Sequence, residues 1–241
     1  MGQQNLNEYF TDLLQKVDLQ IQDFEDNNND PFSLCKQVID YLQEIIGELK
    51  AFIISYSFTS KEEEIYFFKE QKPIIASKII YYNTVYQFEL RFPNGSEETQ
   101  KEFIMAETDR ILAHFQRNIS FYQYYRTKAT YLDHKYFLRG KPDIHILIDN
   151  FYYEADPQFS TSYDYKVAKI LAIELFAIYL TNRLNELERR FQRQQVKNGN
   201  IKKLLRWTGT KRALVELIYA LYTNGDFNKG TVDIKDIVSC F

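Results

Sequence analysis

The sequence predicts a mainly α-helical fold: an N-terminal antiparallel helical bundle followed by a small winged-helix or helix-turn-helix-like C-terminal domain. Three observations predict it. Apolar residues recur at helical spacing along most of the chain. Pro and Gly number only 5 and 8 in 241 residues, which allows few chain reversals and disfavours an all-β fold built on tight turns. The breaks that do occur are short, as helix hairpins require.

Leu6, Phe10, Leu13, Leu14, Val17, Ile21 and Phe24 mark a first amphipathic helix, ended by Asp26-Asn27-Asn28-Asn29-Asp30-Pro31. Val38, Leu42, Ile45, Ile46, Leu49 and Phe52 line a second. Ser60-Lys61-Glu62-Glu63 reads as a capping box, in which Ser60 accepts from a free amide and Glu63 reaches back. The third helix it opens is expected to stop before Pro73, with a fourth over Ile74 to Phe92, closed by Pro93-Asn94-Gly95. A fifth runs from Ser96-Glu97-Glu98 through Ile104, Ile111 and Phe115 to about Arg126.

Within residues 127–161, Ile144-His145-Ile146-Leu147-Ile148 fits either a short buried strand or one face of a helix. Ser160-Thr161-Ser162 supplies N-cap candidates for a long helix to about Gln195. Its first half is apolar almost all round, so it is expected to be the central buried helix. Lys197-Asn198-Gly199-Asn200 is the best boundary, dividing a bundle domain (1–198) from a C-terminal domain (199–241). Beyond it, Leu214, Leu217, Ile218 and Leu221 form one helix face, which Asn224-Gly225 ends. Lys229-Gly230 marks a turn, and Asp233 can cap a last helix from Ile234.

An apolar fraction of 45% with 26% charged residues is ordinary for a globular protein. Cys35 and Cys240 lie almost a full chain apart and form no disulfide framework, which suggests a reducing compartment. No charged segment followed by an apolar one opens the chain, so no signal peptide is expected. The longest apolar run, Ile170 to Leu180, contains Glu174 and is shorter than the about 20 residues a bilayer span needs. A cytoplasmic protein away from the membrane is expected.

The net charge of −3 conceals segregation by sign. Residues 1–70 carry 14 acids and 5 bases, and residues 71–182 balance at 13 each. Residues 183–213 carry 10 bases against Glu186 and Glu188. A basic end on an acidic body suits a polyanionic partner, although charge runs are often only solvated helix faces. Lys202, Lys203, Arg206, Lys211 and Arg212 are the expected phosphate contacts, with Lys229 and Lys235 further along. Thr208 or Thr210 can donate a hydroxyl where a helix starting near Thr210 presents free amides. Trp207, beside Arg206, is expected to plug the two domains together.

No catalytic or metal-binding constellation is apparent, and neither a cofactor motif nor a small-molecule ligand is evident. His114, His134 and His145 lack ligand spacing. Asp133-His134 and Asp143-x-His145 each pair a carboxylate with an imidazole, but without a nucleophile in context. Thr208-Gly209-Thr210-Lys211 lacks the upstream glycine and strand of a phosphate loop. Glu62-Glu63-Glu64 is better explained as first-turn acids favouring the helix dipole than as a metal site. Phe121, Tyr122, Tyr124, Tyr125, Tyr131, Tyr136 and Phe137 interleave with Arg126, Lys128, Lys135, Arg139 and Lys141. They are either a stacking platform for single strands or, as their helical spacing favours, core. Arg139-Gly140-Lys141-Pro142 reads as an exposed loop.

Four stretches, in order, carry a family resemblance: Ser60 to Lys69 (SKEEEIYFFK), Phe121 to Asp143 (FYQYYRTKATYLDHKYFLRGKPD), Ser160 to Ala172 (STSYDYKVAKILA) and Trp207 to Gly225 (WTGTKRALVELIYALYTNG). Asp233-Ile234-Lys235-Asp236-Ile237 follows. The chain resembles RteC, the tetracycline resistance element mobilisation regulatory protein family, over most of its length from residue 60 onward. The resemblance implies a DNA-binding activator of excision and transfer genes of a conjugative transposon, with a helical N-terminal and a winged-helix-like C-terminal domain. It also implies further helical residues after the Asp-Ile-Lys motif. The present sequence ends at Phe241, and if a recognition helix lies in that further stretch, the DNA-reading element is incomplete here.

The leading expectation is therefore a regulator of double-stranded DNA, with the bundle serving a homodimer or partner contact. The alternatives are an interaction module whose basic helix docks an acidic protein, and a single-strand or RNA binder.

Overall fold

The structure is a computed structural model that describes residues 5–140, 156–197 and 207–238. It divides into two compact units, residues 1–188 and 189–241. Of the expected boundary Lys197-Asn198-Gly199-Asn200, only Lys197 lies within the described residues.

The first unit packs helix on helix. α1 (Leu6–Asn27) buries Leu6, Phe10, Leu13, Val17 and Ile21, a stripe three to four residues apart that a 3.6-residue period places on one face. Asn28 and Asp30 turn the chain: the Asn28 amide donates to the Phe24 carbonyl at 2.8 Å, and Asp30 accepts from Ser33 N–H at 2.9 Å. That makes Asp30 the N-cap of α2 (Pro31–Ser55), whose first turn tolerates Pro31 because the missing N–H has no helical partner to lose. The Tyr9–Phe52 stack and the Phe24–Tyr41 edge contact show that α1 and α2 run antiparallel.

The capping box forms with one change. Ser60 accepts from Glu63 N–H at 3.1 Å, but the Glu63 carboxylate takes Thr59 N–H at 2.6 Å, with the Thr59 and Tyr56 hydroxyls. Burial raises the pKa of the Glu63 carboxyl, and these donors outweigh it, so the group is held below its ordinary value.

The expected stop before Pro73 does not occur. α3 (Lys61–Tyr66) passes through a π-helical turn (Phe67–Gln71) directly into α4 (Lys72–Arg91). Proline cannot donate and collides with the carbonyl four residues back. The wider turn, in which Lys72 N–H reaches the Phe67 carbonyl, absorbs that conflict without ending the helix. Lys69 and Gln71, on this turn, are buried.

α5 (Glu97–Arg117) packs antiparallel to α4 through Phe88, Phe92 and Phe103. The expected single fifth helix breaks at Asn118, whose amide side chain donates to the His114 carbonyl at 3.0 Å while its backbone leaves the helical region (φ −113°, ψ 20°). α6 (Ile119–Arg126) continues at an angle that this break sets, and the short α7 (Asp133–Tyr136) follows. α8 (Asp164–Lys197) runs parallel to α4, with Lys72 beside Asp164 at the two helix starts and Glu89 beside Arg183 further along both. It buries Val167, Ala168, Ile170, Ala172, Phe176 and Leu180, yet Leu175 and Ile178 are exposed. It is thus a one-faced helix of the bundle, not a central one: an apolar circumference counted from sequence does not tell how many neighbours exist. Ile144 to Ile148 lies outside the described residues.

Three buried or half-buried ion pairs join distant segments of this unit. Glu64 accepts from Arg139 Nε at 2.7 Å and from its backbone N–H at 3.2 Å. Lys69 Nζ donates to Asp133 Oδ1 at 2.7 Å and to the Ala129 carbonyl at 2.8 Å, and Tyr124 OH donates to the same carboxylate oxygen. Lys72 Nζ meets Asp164 Oδ2 and the Phe159 carbonyl, each at 2.5 Å. Phe58, Phe68 and Phe137 roof these cations, the Arg139 guanidinium lying 4.9 Å from the Phe58 ring. Three of the four family-like stretches therefore meet in one polar core. Arg139, expected in an exposed loop, is one of its members.

In the second unit, α9 (Lys211–Asn224) ends at Gly225 in the left-handed conformation (φ 70°), as its sequence predicts. A 3₁₀ turn (Asn228–Gly230) leads to α10 (Ile234–Val238), and Ile218 and Ile237 are the buried residues between the helices. Asp233 accepts from Lys235 N–H at 3.2 Å, the expected cap. A Cβ on Gly225 would lie 3.3 Å from the Gly230 Cα, so two backbones cross where a side chain would crowd them. Among the described residues there is no strand, so the observed fold class is mainly helical.

Candidate nucleic-acid interface

Divided at the unit boundary, the chain's charge separates cleanly. Residues 1–188 carry 29 acids and 19 bases, a net of −10, and residues 189–241 carry 4 acids and 11 bases, a net of +7. A polyanion is attracted to the second unit and repelled by the first.

α9 begins from a compact lead-in. Trp207 Nε1 donates to the Thr210 carbonyl at 3.2 Å, and the indole closes over Gly209, where a Cβ would meet ring carbon Cζ2 at 2.9 Å. Only glycine allows that closure. Trp207 is 43% exposed and folds on its own segment. Thr210 is the N-cap, its Oγ1 accepting from Ala213 N–H at 3.2 Å. Its hydroxyl oxygen is thereby engaged in starting the helix, while the hydroxyl proton stays available as a donor.

Of the expected phosphate contacts, Thr208, Lys211 and Arg212 are exposed around this helix start. Arg212 pairs with Glu216 at 3.1 Å, one turn along, but at 90% side-chain exposure that pair is a weak hold. Lys235 is exposed on α10 between Asp233 and Asp236, acids that reduce its pull on a phosphate. Lys202, Lys203, Arg206 and the side chain of Lys229 lie outside the described residues.

Arg189, Arg190 and Arg193, counted in the basic segment 183–213, were not among the expected phosphate contacts. They are exposed on the last turns of α8, and the i, i+4 spacing of Arg189 and Arg193 sets them on one face. The charge count of residues 183–213 contained this signal. Arg183, counted with them, instead pairs with Glu89 at 3.1 Å over the Phe92 ring and belongs to the first unit.

The aromatic segment is not a stacking platform. Tyr124 and Phe137 are buried, Tyr136 stacks on Tyr163 with ring centroids 3.7 Å apart, and Phe121 packs on Tyr163 at 4.7 Å. Two of its bases are engaged, Arg126 by Glu174 and Arg139 by Glu64. Tyr131 is the exposed ring of this group, at 78%. Asp133 faces Lys69 and Tyr124, which removes it as an imidazole partner for His134, and the Asp143-x-His145 pair lies outside the described residues. Among the described residues, no group of three or more potential metal ligands converges and no helix is long and apolar enough to cross a membrane.

No curated protein and no solved structure matches the chain. A family model described as RteC protein matches residues 66–241, which takes in the polar core apart from Glu64, α8 and the whole basic unit. With nearly three quarters of its length covered by that match, the chain belongs to the RteC protein family.

Proposed function

We propose that this protein is a DNA-binding transcriptional regulator that grips duplex DNA with residues 189–241 and activates excision and mobilisation genes of a conjugative transposon. The observation that carries the reading is the opposed charge of the two units, −10 against +7, in a chain of this family. In this reading α9, the Gly225–Asp233 connection and α10 are the helix pair of a winged-helix or helix-turn-helix unit. Arg189, Arg190, Arg193, Lys202, Lys203, Arg206, Lys211 and Arg212 hold phosphates, and the first unit supplies a dimer or partner contact. The protein acts in the cytoplasm and performs no chemistry of its own.

The test is binding of the whole chain to labelled duplex DNA, single-stranded DNA and RNA over a range of salt. Duplex DNA is expected to bind most tightly, with affinity falling steeply as salt rises because phosphate neutralisation releases counterions. Preference for single strands, or binding of an acidic protein but of no nucleic acid, would replace this reading.

A further inference from the structure

In the first unit, the α1–α2 turn, the second half of α4 and the middle of α8 line a cavity of about 410 Å³. Tyr81 and Tyr82 face it from α4 and Tyr179 from α8, with Tyr81 edge-on to the other two rings at centroid distances of 4.9 and 6.5 Å. Glu25, Glu89 and Glu186 line it as well, one from each of α1, α4 and α8. Aromatic rings beside carboxylates suit an organic cation, the rings attracting it through their quadrupoles and the acids through charge.

The carboxylates are held in place without losing all of their charge. Glu25 accepts from the Tyr82 hydroxyl, a neutral donor, at 2.8 Å. Glu89 accepts from the Tyr179 hydroxyl and pairs with Arg183 at 3.1 Å. The same guanidinium stands 3.9 Å from Glu186, so two carboxylates share one cation. Burial pushes the Tyr81 phenol up to about 12 and the Cys35 thiol, also on the wall, up to about 11, with Glu25 adding to the first shift and Glu89 to the second. Both groups therefore stay neutral at pH 7, and the cavity's negative charge is that of the carboxylates.

Among the described residues no three potential metal ligands converge, these acids included. They stand on three helices, and packed helix axes lie about 8–10 Å apart, so their charges are spread around the cavity and not focused on one point. Such spacing suits a ligand whose charges are separated by apolar stems, and the volume suits a small molecule.

We infer that this cavity binds an aliphatic polyamine, its ammonium groups meeting Glu25 and Glu186 and its methylene stems lying along the Tyr81 and Tyr179 rings. The inference is independent of the DNA reading, since every residue it uses belongs to the acidic unit.

Calorimetric titration of the whole chain with spermidine, without DNA, tests it beside hexaamminecobalt(III), which carries an equal charge and no methylene groups. Spermidine is expected to bind saturably and at least about tenfold more tightly than hexaamminecobalt(III). Glu186→Gln, at a side chain 68% exposed and therefore harmless to the fold, is expected to weaken spermidine binding about fivefold. Glu25→Gln/Glu186→Gln, in which Tyr82 keeps an acceptor, is expected to weaken it about 20-fold. Glu98→Gln/Glu102→Gln, at exposed positions of α5, is expected to change nothing. Equal affinity for the two trications would make the unit a diffuse sink for positive charge and overturn the inference. So would spermidine binding that survives Glu186→Gln and the double variant, binding that falls equally in the α5 variant, or no saturable binding at all.

Discussion

Asp133→Ala is expected to lower the stability of the N-terminal unit by about 3–5 kcal/mol, because it leaves the Lys69 ammonium buried without its counter-charge. Lys69 and Asp133 side chains are only 7% and 11% exposed, so water cannot replace the lost partner. The same change removes the acceptor of Tyr124 OH, a hydroxyl whose pKa burial and the Asp133 carboxylate drive upward. Lys69→Met/Asp133→Asn removes the charge from both sides and keeps an acceptor for Tyr124. It is expected to recover most of the loss, as neutral replacements of buried pairs do. Urea unfolding of the two variants and the parent measures this. A loss below about 1 kcal/mol for Asp133→Ala would mean that the pair is hydrated, and that the family-like stretches do not form the unit's core.

The second large effect is on binding. Lys202→Ala/Lys203→Ala/Arg206→Ala is expected to weaken duplex binding about 100-fold or more at roughly 0.1 M salt and to flatten the slope of log K against log salt by about 2.7, at about 0.9 per phosphate released. Sequence preference is expected to stay the same, since phosphate contacts position the protein without reading bases. Asp233→Ala is the control. It removes the cap of α10, lowers stability by about 1 kcal/mol and leaves the slope unchanged. Unchanged affinity and slope in the triple variant would make these bases a solvated face.

The helices were legible because their signals are local. The apolar stripe from Leu6 to Ile21, the Asp30 cap and the Gly225 stop each depend on residues within a turn or two. Pro73 misled for a physical reason: proline forbids a normal helical bond but not the wider π turn, and which of the two occurs depends on what buries Lys69 and Gln71. The polar core was illegible because its partners lie far apart, Lys69 and Asp133 by 64 residues and Lys72 and Asp164 by 92. A lysine and an aspartate at such separation look like ordinary surface charges. At the candidate interface, charge and the predicted helix start pointed to Lys211 and Arg212, which the structure leaves exposed. Arg189, Arg190 and Arg193 entered only through the charge count of residues 183–213.

The claim that one unit carries DNA while the other does not is tested most directly by hydrogen–deuterium exchange of the whole chain with and without duplex DNA at low salt. Phosphate-driven binding makes any duplex suitable for this. Slowed exchange is expected in peptides spanning 189–241, strongest around the start of α9, with peptides from 61–139 unchanged. Protection confined to residues 1–188, or none at saturating DNA, would contradict the account.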